Sequence, residues 1–418
     1  MNKKLQFFTL LLVNIFSISS LQAAIDMQAH LATDEAQNAY TSYLSQQSSY
    51  YTGNYTYTTL LAQTGDQLFG SLNTLMGNTC KLEAWGLDYG DLRYAYTDVD
   101  RDLNKSGNII GYYDGYSFAG KWDSGNTWNR EHTWPQSKGA NKDIPMGHDM
   151  QSVRPTRKAA NSDRGNTAYG EGGSYYDPDE ISINNSAYKK INLGTYRGDA
   201  ARVIMYDYVV YGQAGSYKNS LYNGNAQLLN KLGSSGVFES LRIMLKWHMQ
   251  DPPSLTEMVR NDGAQAYQGN RNPFIDFPEF AIQIFLNNSN IKTHKVKVNT
   301  SATLWPNYQY TLSDGFIAYL TEADGSRPES VDVTGATYSY DATMGRLTIT
   351  NVTNDMVIST NGITAIDDIY YSNKIVIYNI TGTIIAEISS ENLSSTLQTL
   401  PSGLYIIQQG NQARKIMR

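Results

Sequence analysis

The sequence predicts an α+β fold: a mixed helix-and-strand domain over residues 25–290, followed by two small all-β modules over 291–362 and 363–418. Three observations carry this. The first region holds apolar residues at helical spacing, separated by Tyr- and Gly-rich stretches. Beyond residue 291 the pattern shifts to short alternating runs bounded by turn residues. The whole chain of 418 residues has 32 tyrosines and 34 glycines but only 17% charged residues, which favours extended, turn-rich structure over long solvated helices.

Taken in order, "MNKKLQFFTLLLVNIFSISSLQAA" has Lys3 and Lys4, an apolar run from Leu5 to Ile18, and small residues at Ala23 and Ala24. That is the layout of a secretory signal peptide over residues 1–24. The run is too short and interrupted for a membrane span, so the expectation is a secreted or outer-surface protein whose mature chain has no transmembrane anchor. Cys80 is the single cysteine, so no intramolecular disulfide forms, and it is expected to act as a buried small hydrophobe.

Within 25–290, "GDQLFGSLNTLMG" carries Leu68, Leu72 and Leu75 at helical spacing. "RGDAARVIMYDYVVYG" predicts a helix opening at Asp199, and "SGVFESLRIMLKWHMQDPP" one that Pro252 and Pro253 end. From 291 to 362, "HKVKVNTS", "YQYTLSD", "GRLTITNVT" and "DMVISTNG" predict strands. "NKIVIYNITGTIIAEI" and "SGLYIIQQGNQARKIMR" predict the last β unit. "DRDLNKSGN" imitates a calcium loop, but Lys105 stands where that loop needs glycine and Gly111 where it needs glutamate, so a polar turn is expected. "YGEGGS" lacks a phosphate-loop lysine.

The chemistry-bearing stretch is "WNREHTWPQSKGANKDIPMGHDMQSVRPTRKAANSDRGN", Trp128 to Asn166. Between Lys121 and Arg164, eight Lys and Arg stand against five acids in a protein of formal charge −6, a local inversion suited to an anionic substrate. Glu131 and His132 are adjacent. A neutral imidazole suits a general base near pH 7, and a hard divalent cation needs few protein oxygens because it keeps its waters. Regular strands turn successive residues to opposite faces, so a shared site requires a strand end or bend, and Pro135 just beyond fits that. Zinc is disfavoured, since one Cys and five scattered His offer no evident ligand set. Residue types alone also allow His132 to be a hydrogen-bonded core histidine and Glu131 an ion-pair partner.

The blocks "NREHTWPQS", "HDMQSVRP", "AANSDRGN", "RGDAAR" and "QGNRNPFIDFPE" give the chain a specific resemblance to the endonuclease I family of secreted, non-specific bacterial nucleases with a ββα-metal site. The resemblance implies His132 as general base, and Glu131 and Asn161 as the two protein ligands of one Mg²⁺, with Mn²⁺ or Ca²⁺ as alternatives. Arg154, Lys138 and Arg164 are candidate phosphate contacts, because guanidinium and ammonium groups suit phosphate oxygens. Asp149 and Asp163 are expected to be structural or supporting. One departure is Gln151, where family members often carry His; His148 is a possible substitute. The last unit, with Gly403, Tyr405 and Lys415, resembles the sorting domains of type IX secretion, which implies the secretion machinery as a partner.

The expected function is Mg²⁺-dependent endonucleolytic hydrolysis of DNA and RNA to 5′-phosphorylated products, with the strands contacted mainly through phosphates. Two rivals stay open at this level. One is a surface binding or adhesion protein whose nuclease-like domain is inactive. The other is a phosphodiesterase for small diesters.

Overall fold

The chain divides into two compact units, Met1–Asn361 and Gly362–Arg418. The computed structural model describes residues 34–113, 115–166, 169, 196–214, 217–218, 241–286, 291–322, 326–360, 374–379, 384–389, 392–401, 404–409 and 412–417. The expected signal peptide, and "YGEGGS" apart from Tyr169, lie outside these residues.

The first unit begins with α1 (Asp34–Tyr50), α2 (Tyr57–Leu61) and α3 (Gly65–Thr79). The leucine spacing read in α3 is its packing face: Leu68, Leu72 and Leu75 are all buried. After α4 (Leu92–Val99) the chain makes a polar turn in which Asp102 accepts the Asn104 amide at 2.8 Å. The antiparallel pair β1 (Asn108–Ile110) and β2 (Ser117–Ala119) follows. Next come β3 (Trp128–His132), β4 (Val153–Arg157) and α5 (Lys158–Arg164), two antiparallel strands and a helix that carry the chemistry-bearing residues.

Helix α6 (Arg197–Tyr211) is buried on nearly every side, including Asp199, Arg202 and Asp207. A helix enclosed all round belongs to the centre of a large core. It starts two residues before the expected Asp199, which lies in its first turn. The short pair β5 (Gln213–Ala214) and β6 (Tyr217–Lys218) precedes α7 (Leu241–Gln250) and α8 (Leu255–Gln268). Ser254 and Glu257 form a capping box at the start of α8. Helices α9 (Pro273–Asp276) and α10 (Phe280–Gln283) close this region, with Asn272 capping α9 and Arg271 gripping Asp276 at 2.8 Å.

Eight strands follow in the order β7 (His294–Asn299), β8 (Thr303–Trp305), β9 (Tyr310–Thr311), β10 (Ile317–Thr321), β11 (Val331–Thr334), β12 (Thr337–Asp341), β13 (Arg346–Thr350) and β14 (Met356–Thr360). They form two four-stranded sheets, ordered β12–β13–β10–β8 and β11–β14–β7–β9. Alternation sets the inner face: in β13, Leu347 and Ile349 are buried between half-exposed neighbours. This segment is not packed as a separate module. One continuous apolar cluster runs from Leu68, Val209 and Trp247 into Leu304, Tyr308, Phe316 and Leu347. Across the expected boundary at 290/291, Arg242 pairs with Asp314 at 2.8 Å.

The second unit contains β15 (Lys374–Asn379), β16 (Ile384–Ser389), α11 (Leu393–Thr399), β17 (Leu404–Gln409) and β18 (Gln412–Met417), with sheet order β16–β15–β17–β18. The expected all-β module is corrected here by α11. Leu393 and Leu397, one turn apart, pack against a core of Ile375, Ile377, Leu400, Tyr405 and Ile407. Among the described residues, no helix is long and apolar enough to cross a membrane.

Candidate active site

His132 is the last residue of β3, and Glu131 precedes it, paired in register with Arg154 of β4. The strand-end condition set by the sequence is therefore met. The chain then turns through Trp134 and Pro135 into a short helical turn, Gln136–Lys138, where Trp134 Nε1 donates to the Lys138 carbonyl at 2.9 Å.

The His132 ring stacks on Tyr89 with centroids 5.2 Å apart, and the Arg130 guanidinium lies over the same tyrosine ring at 3.7 Å. His132 Nε2 lies 2.9 Å from the Gly147 carbonyl oxygen. A carbonyl only accepts, so Nε2 carries the proton and Nδ1 keeps its lone pair in the neutral ring. The Gln136 amide nitrogen approaches Nδ1 at 3.3 Å. Burial pushes the imidazole pKa down to about 4, against the Gly147 hydrogen bond and assisted by the nearby cations Arg130 and Arg164. At pH 7 the ring is neutral. Gly147 permits this arrangement because a Cβ there would meet the Asn141 carbonyl oxygen at 1.9 Å.

Glu131 is 2% exposed. Its Oε1 accepts from Tyr113 Oη at 2.6 Å and from Arg164 Nη1 at 2.9 Å. Burial raises its pKa, while Arg164 and Tyr113 oppose that shift. Arg164 also donates to the carbonyls of His132 and Thr133, at 2.9 and 2.8 Å, so it pins α5 against the end of β3. Asn161 stands three residues earlier on the same face of α5, and its Nδ2 donates to the Arg130 carbonyl at 3.4 Å. Glu131 and Asn161 therefore flank one strand–helix seam, with His132 at its end.

This donor set suits a hard divalent cation. Both hydrogen bonds to the Glu131 carboxylate fall on Oε1, and Asn161 turns its nitrogen to the protein, so Glu131 Oε2 and Asn161 Oδ1 are the oxygens left to a ligand. Among the described residues, no group of three or more His, Cys, Asp or Glu gathers in metal-binding geometry. Two oxygens completed by water is the habit of Mg²⁺.

The expected phosphate contacts divide. Lys138 is exposed on the turn beyond His132. Arg164 is fully buried, and its hydrogen bonds to Glu131 and two strand carbonyls correct the expectation that it meets phosphate. Arg154 is corrected likewise: its register opposite Glu131 turns it inward, 3.5 Å from Asp100 and over the Tyr112 ring at 4.5 Å. Asp149 is buried and accepts from Tyr206 Oη at 2.8 Å and Gln268 Nε2 at 2.6 Å. Gln151 donates to Asn261 Oδ1 at 2.7 Å, away from His132. His148 is buried beside the Lys142 carbonyl. Sequence reasoning missed Tyr89, Tyr113 and Gly147. No local motif marks the tyrosines, which come from other loops; Gly147 lies inside the quoted stretch, but its spacing to His132 gives no signal.

The family model for endonuclease I matches residues 64–279, just over half of the chain. An extracellular ribonuclease of Bacillus subtilis (strain 168) is 31% identical over 239 residues, covering 53% of this chain and 75% of that protein. An extracellular ribonuclease of Bacillus amyloliquefaciens is 32% identical over 238 residues, with the same coverage. The residues matched by the family model include both strands and the helix of the site. The chain belongs to the endonuclease I family, and it is a nuclease that hydrolyses phosphodiester bonds.

Proposed function

We infer that the protein is a secreted, divalent-metal-dependent endonuclease that cuts DNA and RNA with little sequence preference. The observation that carries this reading is the His132 Nε2–Gly147 hydrogen bond, which leaves Nδ1 of a neutral imidazole as the basic nitrogen at the end of the Glu131–Asn161 seam. That the two relatives are extracellular ribonucleases supports RNA as a substrate and export as the destination.

His132 Nδ1 takes a proton from the attacking water as the water oxygen bonds to phosphorus. The bond from phosphorus to the 3′-oxygen breaks, giving a 5′-phosphate and a 3′-hydroxyl that gains its proton from solvent. Glu131 Oε2 and Asn161 Oδ1 would hold Mg²⁺. When bound, that ion supplies positive charge against the crowded phosphate and the leaving oxygen. Arg164 and Tyr113 fix the Glu131 carboxylate, Tyr89 fixes the plane of the imidazole, and Gln136 approaches Nδ1 from the turn beyond. Lys138, an exposed cation on the turn beyond His132, would meet phosphate. Recognition through phosphates carries no sequence information, hence the low specificity. Export through type IX machinery by the 363–418 unit belongs to the same reading.

The test is nicking of supercoiled plasmid, and degradation of RNA, by the full chain with Mg²⁺, with chelator, and with His132→Ala at equal folded concentration. Metal-dependent cutting that falls about 10²-fold or more in the variant is expected. Cutting that survives His132→Ala refutes the base, and cutting that survives chelation refutes the metal.

A further inference from the structure

The basic nitrogen of His132 already has a partner. With Nε2–H given to the Gly147 carbonyl, Nδ1 keeps its lone pair, and Gln136 Nε2 lies 3.3 Å from it. A lone pair accepts, so the amide turns its nitrogen, not its oxygen, to the ring. Gln136 Oε1 makes no hydrogen bond among the described residues. An exposed amide thus caps the atom at which the proton of the attacking water has to arrive.

The root of that side chain is fixed while the residue stays exposed. Lys138 N donates to the Pro135 carbonyl at 2.9 Å, and Gly139 N to the Gln136 carbonyl at 3.2 Å. Buried Trp134 ties down the same turn through its bond to the Lys138 carbonyl. The carboxamide torsion has a broad, two-fold profile, so a half-turn exchanges nitrogen for oxygen without moving the backbone. Turned that way, Oε1 cannot bond the Nδ1 lone pair, because both only accept; a water between them satisfies both. Such a water gives one O–H to Nδ1 and the other to Oε1, and keeps a lone pair for phosphorus. An amide oxygen orients the attacking water in the same way at other phosphoryl-transfer sites.

We propose that Gln136 is a catalytic residue that holds the attacking water between its Oε1 and His132 Nδ1, the direct amide–imidazole contact being the resting arrangement that this water replaces. The proposal rests on the nuclease reading above and adds a second group on the nucleophile. One water proton passes to Nδ1 as the water oxygen bonds to phosphorus and the bond to the 3′-oxygen breaks. The other proton stays on the attacking oxygen, against Oε1, and leaves with the 5′-phosphate product.

The experiment compares the full-chain wild type with Gln136→Met, Gln136→Glu and His132→Ala at equal folded concentration. kcat and KM are measured on single-stranded RNA and on supercoiled plasmid at saturating Mg²⁺. Methionine matches the length of glutamine without its polar atoms, whereas glutamate keeps an acceptor oxygen and has no N–H with which to cap the base. Gln136→Met is expected to lower kcat about tenfold or more on both substrates with KM near wild type, and Gln136→Glu to recover most of that loss. An unchanged kcat in Gln136→Met overturns the proposal, and a raised one overturns it in favour of an amide that only shields the base. A Gln136→Glu as slow as Gln136→Met, or a change confined to KM, also overturns it. If the wild type cuts neither substrate, the nuclease reading fails and the proposal falls with it. Cutting that is lost in His132→Ala but runs at the wild-type rate in Gln136→Met overturns the proposal alone.

Discussion

Arg164 Nη1 lies 2.9 Å from Glu131 Oε1, and the two side chains are 0% and 2% exposed. A buried ion pair is weak evidence of net stability, but breaking one leaves a charge without compensation. Arg164 also holds two carbonyls at the end of β3. Arg164→Met is therefore expected to cost about 3–5 kcal/mol, read by urea unfolding. Had Arg164 been a surface phosphate contact, the variant would weaken substrate binding and leave stability near wild type.

Tyr113 donates to the same Glu131 oxygen at 2.6 Å and does not reach a solvent-facing surface itself. Tyr113→Phe keeps the ring and removes the donor. The Mg²⁺ concentration giving half-maximal cutting is expected to rise about tenfold, the usual scale for a partner that orients a ligand. Cutting at saturating Mg²⁺ should stay close to wild type. A metal titration that superimposes on wild type would show that Tyr113 does not tune Glu131.

Gly147→Ala tests the His132 anchor. The added methyl would sit 1.9 Å from the Asn141 carbonyl oxygen, so the 141–147 turn must move and carry the Gly147 carbonyl away from Nε2. A displacement of about 1 Å at a catalytic group costs up to about 10²-fold in rate. We expect kcat to fall on that scale with KM little changed, measured on plasmid and RNA. Unaltered kcat would mean that the carbonyl does not hold the base.

The strands, the long helices and the candidate set of Glu131, His132 and Asn161 were legible in the sequence, because periodicity and the family blocks are local signals. Asn161 is informative: alone it reads as a cap or turn residue, and only the tertiary contact to the Arg130 carbonyl shows which of its atoms faces outward. Arg154 and Arg164 were misread for a related reason. A basic cluster in sequence does not tell which cations β-register and helix packing turn inward, and here the interior acids Asp100 and Glu131 take two of them. Tyr89 reaches His132 from a different loop, so nothing in the spacing announces it. Helix α11 was hidden because seven residues are too few for a clear helical period.

Acid sensitivity should come in part from His248, far from the active-site seam in sequence. It is fully buried, its Nε2 bonds the Pro278 carbonyl at 2.8 Å, and Tyr308 packs edge-on against it. Burial lowers its pKa to about 3, with the Arg202 charge adding and the Pro278 bond opposing. The unfolded imidazole takes up a proton near pH 6.5, whereas the folded one waits until about pH 3. Between these values the unfolded state holds more protons, so this contribution is complete above pH 6.5 and is lost progressively on acidification. His248→Gln is expected to be less stable than wild type at pH 7.5, with the gap in melting temperature narrowing toward pH 4.5. A gap that stays constant with pH would contradict the assignment. The buried carboxyls Asp199, Asp207 and Asp251 are raised and act in the opposite sense, which is why the difference between the two proteins is the quantity to read.

The shared core gives the last prediction. A sequence-based boundary at 290/291 suggests that a fragment ending there keeps a complete nuclease. The structure places Leu304, Tyr308 and Phe316 in the same apolar cluster as Val209, Trp247 and Phe280, and Arg242 pairs with Asp314 across the boundary. Each such side chain contributes about 1.5–3 kcal/mol through burial. Losing several of them approaches the whole stability of a domain, about 5–15 kcal/mol. The 25–290 fragment is therefore expected to melt well below the 25–361 fragment, to aggregate more readily through its uncovered face, and to lose cutting in proportion to its unfolded fraction. Equal melting temperatures would show that the β-rich segment rests on the nuclease region without supporting it.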